Sequence, residues 1–245
     1  MTGPSVHLST ISLRTKDGLQ PVQVFTPSVR PRGGVIVYMD AFGWREELDS
    51  MAARYAEAGW LTFLPDLYYW LGSLRFAPPA GHQALDPAMH AANSATTMDM
   101  SGADVGALLA HAEISYPDIM QFGAVGYCMG ARHALNACAR FPEKIVAAAC
   151  LHGGRMVDES PASPHFLIRK VQGELYFGFA EDDDTCPPEH QALIEQTILT
   201  SDAIAEVEHF EAAHGWTFPT RWCYDEAAAE RAFAKVLALF ARNTD

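Results

Sequence analysis

The sequence predicts an α/β fold: a mostly parallel sheet with helices packed on both faces. Three observations predict it. The chain opens with a hairpin pattern, continues with apolar β-branched runs that alternate with helical periods, and marks most changeovers with glycine or proline. Sheets of this kind hold ligands just beyond the carboxyl ends of their strands, so the residues past each strand are the ones to inspect.

Val6–Leu13 and Val22–Phe25 flank Lys16-Asp17-Gly18 and read as the hairpin. Gly34–Asp40 is a continuous apolar run, the pattern of a strand covered on both faces. Leu48, Met51, Ala52, Tyr55 and Ala56 share one helical face, and Gly59 stops that helix. Trp60–Leu64 is the next strand, ended by Pro65-Asp66. Residues 68–97, with Pro78, Pro79 and Pro87, are expected to be irregular. Val105, Leu108, Leu109 and Ala112 mark a helix. Phe122–Tyr127 is a strand, and a helix from Met129 to Arg140 follows it. Ile145–Leu151 and Leu175–Ala180 are strands, Pro188–Leu199 a helix and Glu206–Phe210 the last strand. Phe233, Val236, Leu237 and Phe240 give the terminal helix its apolar face.

The 245 residues carry 17 Lys and Arg against 30 Asp and Glu, a formal charge of −13. That balance excludes nucleic acid as the partner and disfavours anionic lipid. No run approaches the roughly 18 apolar residues of a membrane span, and Met1–Leu13 lacks the pattern of a secretory leader. The expectation is a single domain over 1–245, cytoplasmic, a monomer or homodimer, without metal or cofactor. Five cysteines with no CxxC pair suit neither a disulfide framework nor a zinc site.

One cysteine stands apart. Gly126-Tyr127-Cys128-Met129-Gly130 lies between a predicted strand and a predicted helix. Composition alone yields about 0.03 such G-x-C-x-G pentapeptides by chance. A nucleophile on a sharp strand-to-helix turn needs neighbours without a β-carbon. The helix N-terminus favours a thiolate, and the Met129 N–H becomes free to face a developing oxyanion. The alternative is a buried cysteine in a tight crossover. Cys138 and Cys150 read as small core residues.

A thiol nucleophile needs an oriented base. His214, in Ala213-His214-Gly215-Trp216, follows the last predicted strand. His152, in Leu151-His152-Gly153-Gly154, is a rival or a pocket residue. The acid comes from Glu181-Asp182-Asp183-Asp184, of which only one carboxylate can aim at an imidazole and the rest are solvated. The order nucleophile, acid, histidine is that of α/β-hydrolases. Asp40 ends the first central strand, where an unpaired carboxylate is expensive. It either holds the thiol proton, with the Ala41 N–H as second oxyanion donor, or caps the following helix.

Taken together, MDAFG (39–43), LPDLY (64–68), GYCMG (126–130), DDTCPPE (183–189), AHGWTFP (213–219) and a terminal helix ending in ALF resemble the dienelactone hydrolase family. The resemblance runs from about residue 18 to 242. It implies the α/β-hydrolase fold, with a central sheet of about eight strands. In the family the catalytic aspartate stands four residues before a proline, and Asp183 precedes Pro187 by four. The resemblance therefore implies a Cys128–Asp183–His214 triad, with the acid at 40 bonded to the thiol before substrate arrives. Three departures are visible. Asp40 stands where the archetypes have glutamate, and Ala131 where many members have glycine. The arginines that hold a substrate carboxylate are not fixed by a motif, Arg75 and Arg221 being the candidates.

Trp44, Tyr68, Tyr69, Trp70, Phe76 and Trp216 fall in loops at the predicted carboxyl edge. They either line a cleft suited to a flat or apolar acyl group or pack over the sheet. The expected activity is ester or lactone hydrolysis through an acyl-enzyme, with a small-molecule substrate. The competing expectation is a non-hydrolytic small-molecule binder or thiol redox sensor on the same scaffold.

Overall fold

The computed structural model describes residues 5–81 and 85–244. Residues 1–4, part of the segment read for a leader, and 82–84, part of the stretch expected to be irregular, lie outside the described residues. The hairpin is β1 (Val6–Thr15) and β2 (Gly18–Pro27), antiparallel with Thr15 opposite Gly18. Next come β3 (Gly34–Tyr38), α1 (Glu46–Glu57), β4 (Leu61–Pro65), α2 (Pro87–Ala95) and α3 (Met98–Ser115). The second half alternates regularly: β5 (Phe122–Tyr127), α4 (Met129–Arg140), β6 (Ile145–Leu151), β7 (Glu174–Asp182), α5 (Pro188–Leu199), β8 (Ile204–Ala213) and α6 (Glu226–Thr244).

The eight strands form one sheet in the order β1-β2-β4-β3-β5-β6-β7-β8. From β4 to β8 every pairing is parallel, and β2 meets β4 antiparallel. The predicted α/β architecture and its opening hairpin are both present. β3, β4 and β5 are buried at every position, as their unbroken apolar sequences require. The predicted face of α1 is its buried face.

After β3 the chain steps to one side to form β4 and returns to the other for β5. That places a topological switch point between β3 and β5, where α/β sheets open a crevice. Tyr38 pairs with Gly126 across it. Asp40 and Cys128 therefore stand at matched positions, each two residues past the same rung.

The stretch expected to be irregular contains a helix. Asp86 accepts from the Ala88 N–H at 2.8 Å and Pro87 opens α2, a capped start followed by a proline whose fixed φ suits a first turn. The prolines that suggested a loop upstream hid this start. A single 3-10 turn at Tyr69–Leu71 precedes it, and another occupies Pro164–Lys170. α3 begins seven residues before the predicted Val105, with Thr97 capping the Met100 N–H at 3.2 Å.

Candidate active site

β5 runs straight into Cys128, which takes φ 52° and ψ −114° before α4 begins. A non-glycine residue in that region costs about 1–3 kcal/mol and persists only where its surroundings hold it. Here they do. The Cys128 N–H donates to Leu151 O at 3.1 Å, and its carbonyl accepts from Gly154 N at 3.1 Å and Ala131 N at 3.2 Å. Both flanking glycines are sterically required. A β-carbon on Gly126 would sit 2.1 Å from the Gly130 carbonyl oxygen, and one on Gly130 would sit 2.3 Å from that of Tyr38. Cys138, Cys150 and Cys186 are buried, and burial pushes the Cys138 and Cys186 thiols up to about 12, so these stay protonated.

His214 follows β8 directly. Its N–H donates to Asp182 O at 2.9 Å, which pins the loop to the end of β7. Its Nδ1 lies 2.7 Å from Asp183 Oδ2, and its ring shares the lining of one cleft with the Cys128 side chain. Asp183 turns inward with its side chain 1% exposed, while Glu181, Asp182 and Asp184 face solvent. Asp183 Oδ1 accepts from Thr185 N at 2.8 Å, Thr185 Oγ1 at 2.7 Å and Cys186 N at 3.1 Å. Burial opposes the charged imidazole. The charge of Cys128 and the bonds and charge of Asp183 outweigh burial and hold the His214 pKa well above the ordinary histidine value.

His152 is buried beside this group in left-handed backbone, φ 37°. Its ring lies 5.1 Å from that of His214, at 71° to it. Its Nε2 bonds Thr217 Oγ1 at 2.7 Å, and its buried Nδ1 has no partner among the described residues. Burial, then the neighbouring His214 and Arg221, drive its pKa well below the ordinary value, so it stays neutral. It contacts the imidazole and is not itself carboxylate-bonded.

On the other side, β3 ends in the loop Met39–Gly43. The Asp40 carboxylate pairs with Arg45 in bidentate fashion, Oδ1 with Nη1 at 2.6 Å and Oδ2 with Nη2 at 3.0 Å. Oδ1 also accepts the Phe42 N–H at 3.2 Å. Tyr68 donates its hydroxyl to Ala41 O at 3.0 Å and so fixes the adjoining peptide.

Between these groups lies a cleft with a free volume of about 80 Å³. Ala41, Cys128, Met129 and His214 line its working end, with Phe42, Leu85 and Met89 forming an apolar wall. His90, Asn93, Thr185, Arg155 and Arg221 supply its polar groups. Of the sequence-predicted binding residues, Arg221 is in this lining and its buried Nε is unpartnered among the described residues. Arg75 is elsewhere, bonded to Asp66 at 3.4 Å and to Ser73 O at 2.9 Å, over the Trp44 ring. Trp44 itself bonds Asp49 at 2.7 Å. Trp216 is buried against Phe210 and His152, and Tyr68 backs the Ala41 loop from within the core. These aromatics pack the scaffold. Phe42 is the aromatic residue in the lining.

Sequence reasoning missed Arg155, Asn93 and, behind them, Arg132. Arg155 sits in left-handed backbone (φ 54°) and donates to Ser94 Oγ at 2.7 Å. Arg132, one turn into α4, is buried and donates from Nη2 to Asn93 Oδ1 at 2.6 Å and Asn93 O at 3.0 Å. Its Nη1 has no partner among the described residues, and burial lowers its pKa to about 10. The missed helix α2 carries Asn93, which is why the sequence could not place this group. Among the described residues no cluster of three or more His, Cys, Asp or Glu is arranged to hold a metal. No helix among them is long and apolar enough to cross a membrane.

Comparison with known proteins bears on the family and the fold. The sequence model of the dienelactone hydrolase family matches residues 21–244. A protein of Synechocystis sp. named "Putative carboxymethylenebutenolidase" is 26% identical over 84% of each chain. A protein of the same name from Escherichia coli (strain K12) is 23% identical over 84% of this chain and 75% of its own. Among solved structures, a chain titled "Putative Dienelactone Hydrolase" from Klebsiella pneumoniae superposes with a TM-score of 0.85. It is 21% identical and covers 97% of this chain and 99% of its own. An esterase of Pyrococcus furiosus superposes with a TM-score of 0.70 at 13% identity, covering 98% of this chain and 94% of its own. At these identities the structures speak for the α/β-hydrolase fold.

Proposed function

The chain belongs to the dienelactone hydrolase family and is a hydrolase, and on that premise we propose that it opens a carboxylic ester or lactone through an acyl-enzyme on Cys128. The observation that carries this reading is the strained Cys128 at the elbow, lining one cleft with a His214 that Asp183 holds at 2.7 Å.

His214 accepts the thiol proton at Nε2, because its Nδ1 is committed to Asp183. The thiolate attacks the carbonyl carbon, a C–S bond forms, and the carbonyl electron pair moves to oxygen. In this reading the N–H groups of Ala41 and Met129, both in the cleft lining, receive that oxyanion, each worth on the order of 3 kcal/mol. Collapse of the adduct breaks the C–O bond. His214 returns its proton to the departing oxygen, then takes one from the water that cleaves the thioester. The acid leaves and the thiol is restored. A thiolate departs more readily than an alkoxide, so the adduct reverts unless the leaving oxygen is itself stabilised. That selects lactones and enol esters. An oriented base supports this reading over a thiol sensor, which needs none.

The cleft also supports a substrate that carries a carboxylate. Arg221 and Arg155 line it, whereas the Asp183 carboxylate is occupied by His214 and Thr185. In a chain of net charge −13, a cleft with two arginines in its wall is matched to an anionic acyl group.

The test is turnover of a panel of aryl esters, enol esters and carboxylate-bearing lactones. Cys128→Ala is expected to abolish it. One equivalent of an alkylating agent should inactivate the wild type, with substrate protecting. Unchanged turnover in Cys128→Ala defeats the proposal.

A further inference from the structure

Arg45 is nearly buried and has three distinct partners. It pairs with Asp40 through both terminal nitrogens, at 2.6 and 3.0 Å. It bonds Glu47 Oε2 through Nε at 3.0 Å and Nη2 at 2.7 Å. Its Nη1 also reaches Gly43 O at 3.3 Å. Glu47 then spends its other oxygen on the histidine loop, accepting from Thr220 N at 2.8 Å and Thr220 Oγ1 at 2.7 Å. The guanidinium lies over the Phe218 ring at 4.9 Å. One cation therefore ties the loop that carries Ala41 to the loop that carries His214.

We propose that Arg45 is a positioning residue that commits Asp40 to bracing the oxyanion loop, so that the Cys128 proton passes to His214 and not to Asp40. The inference rests on the Cys128–His214 reading above, and it departs from the role that the resemblance implied for the acid at 40. Moving a proton from sulfur to Asp40 would neutralise the carboxylate. It would break a buried, bidentate, charge-assisted pair and leave Arg45 with Glu47 as its one charged partner among the described residues, which low polarity makes costly. It would also loosen the bond from Asp40 to the Phe42 N–H that shapes the turn after Ala41. Moving the same proton to His214 creates a cation beside Asp183 and breaks no existing ion pair. In that step the S–H bond breaks, an N–H bond forms at Nε2, and the electron pair stays on sulfur. No co-reactant is needed.

The experiment follows Cys128 alkylation by iodoacetamide at neutral pH, read by mass spectrometry, beside steady-state hydrolysis of an aryl ester. Asp40→Asn is expected to alkylate within about twofold of wild type, and His214→Gln at least about tenfold more slowly. Arg45→Gln should lower kcat about tenfold with KM within about twofold, and Arg45→Lys should recover part of that loss, because a positioning role acts on the transition state. If Asp40→Asn does not fold, the double variant Asp40→Asn/Arg45→Gln, which removes both charges, takes its place with the same expected alkylation rate. Alkylation slowed in either Asp40 variant as much as in His214→Gln overturns the proposal. The alkylation rates report on the thiol even if no ester is turned over, so failure of the hydrolase reading and failure of this one are told apart.

Discussion

Thr185 donates twice to one oxygen of Asp183, through its N–H at 2.8 Å and its hydroxyl at 2.7 Å. The other oxygen is left for His214. The hydroxyl also lies 3.2 Å from His214 Nδ1, so it closes a three-membered polar ring around the base. Thr185→Val keeps the shape and removes one donor. It should lower kcat about tenfold, the worth of one hydrogen bond to a charged group. Steady-state kinetics beside Asp183→Asn, expected to lose about 10³–10⁴-fold, check the ranking. Equal losses in the two variants would contradict it.

His214 has its pKa raised well above 6.5 in the folded protein. A base raised on folding stabilises the native state most fully below its unfolded value. That contribution fades as pH rises through the folded value. The melting-temperature gap between wild type and His214→Gln should therefore be widest on the acid side and close toward alkaline pH. Thermal melts across the pH range test this, and a gap that widens with pH refutes it.

Arg221 and Arg155 face the cleft together. Replacing either with Gln should raise KM for a carboxylate-bearing lactone by about 10- to 100-fold, the loss of one charge-assisted contact. A neutral aryl ester should be affected several times less. Equal effects on the two substrates would remove the anionic acyl group from the reading.

Burial lowers the pKa of Arg132 to about 10, below its ordinary 12.5, so its charge opposes folding at every pH where it is protonated. Arg132→Met should raise stability by about 1–3 kcal/mol. It should also slow turnover, because Asn93 in the cleft wall loses the guanidinium at 2.6 Å. Denaturant melts and kinetics on one preparation give both signs. A variant that is both less stable and fully active would refute the prediction.

Much of the fold was legible because β3 to β7 are covered on both faces and announce themselves as apolar runs. The elbow was legible because its geometry demands two glycines at fixed offsets. Other parts were not. α2 was hidden by its prolines, although Asp86-Pro87 is itself a helix start. Asp183 could be selected from four consecutive acids only through the family pattern, since side-chain direction at a strand end is set by packing. Asp40 and Arg45 stand five residues apart in a loop, and no periodicity tells which carboxylate a guanidinium will choose. Arg132 and Arg155 reach the site from elements whose spacing in sequence says nothing of their convergence.

Cys128, His152 and Arg155 all hold the left-handed backbone in which glycine is at ease and a β-carbon is not. At 152 the buried, packed ring holds that strain in place, but selection for heat resistance alone would favour glycine at the exposed position 155, relaxing the main chain while stripping the cleft of a guanidinium. An engineer seeking a hardier catalyst should leave these three positions untouched and look for gains on the far edge of the sheet.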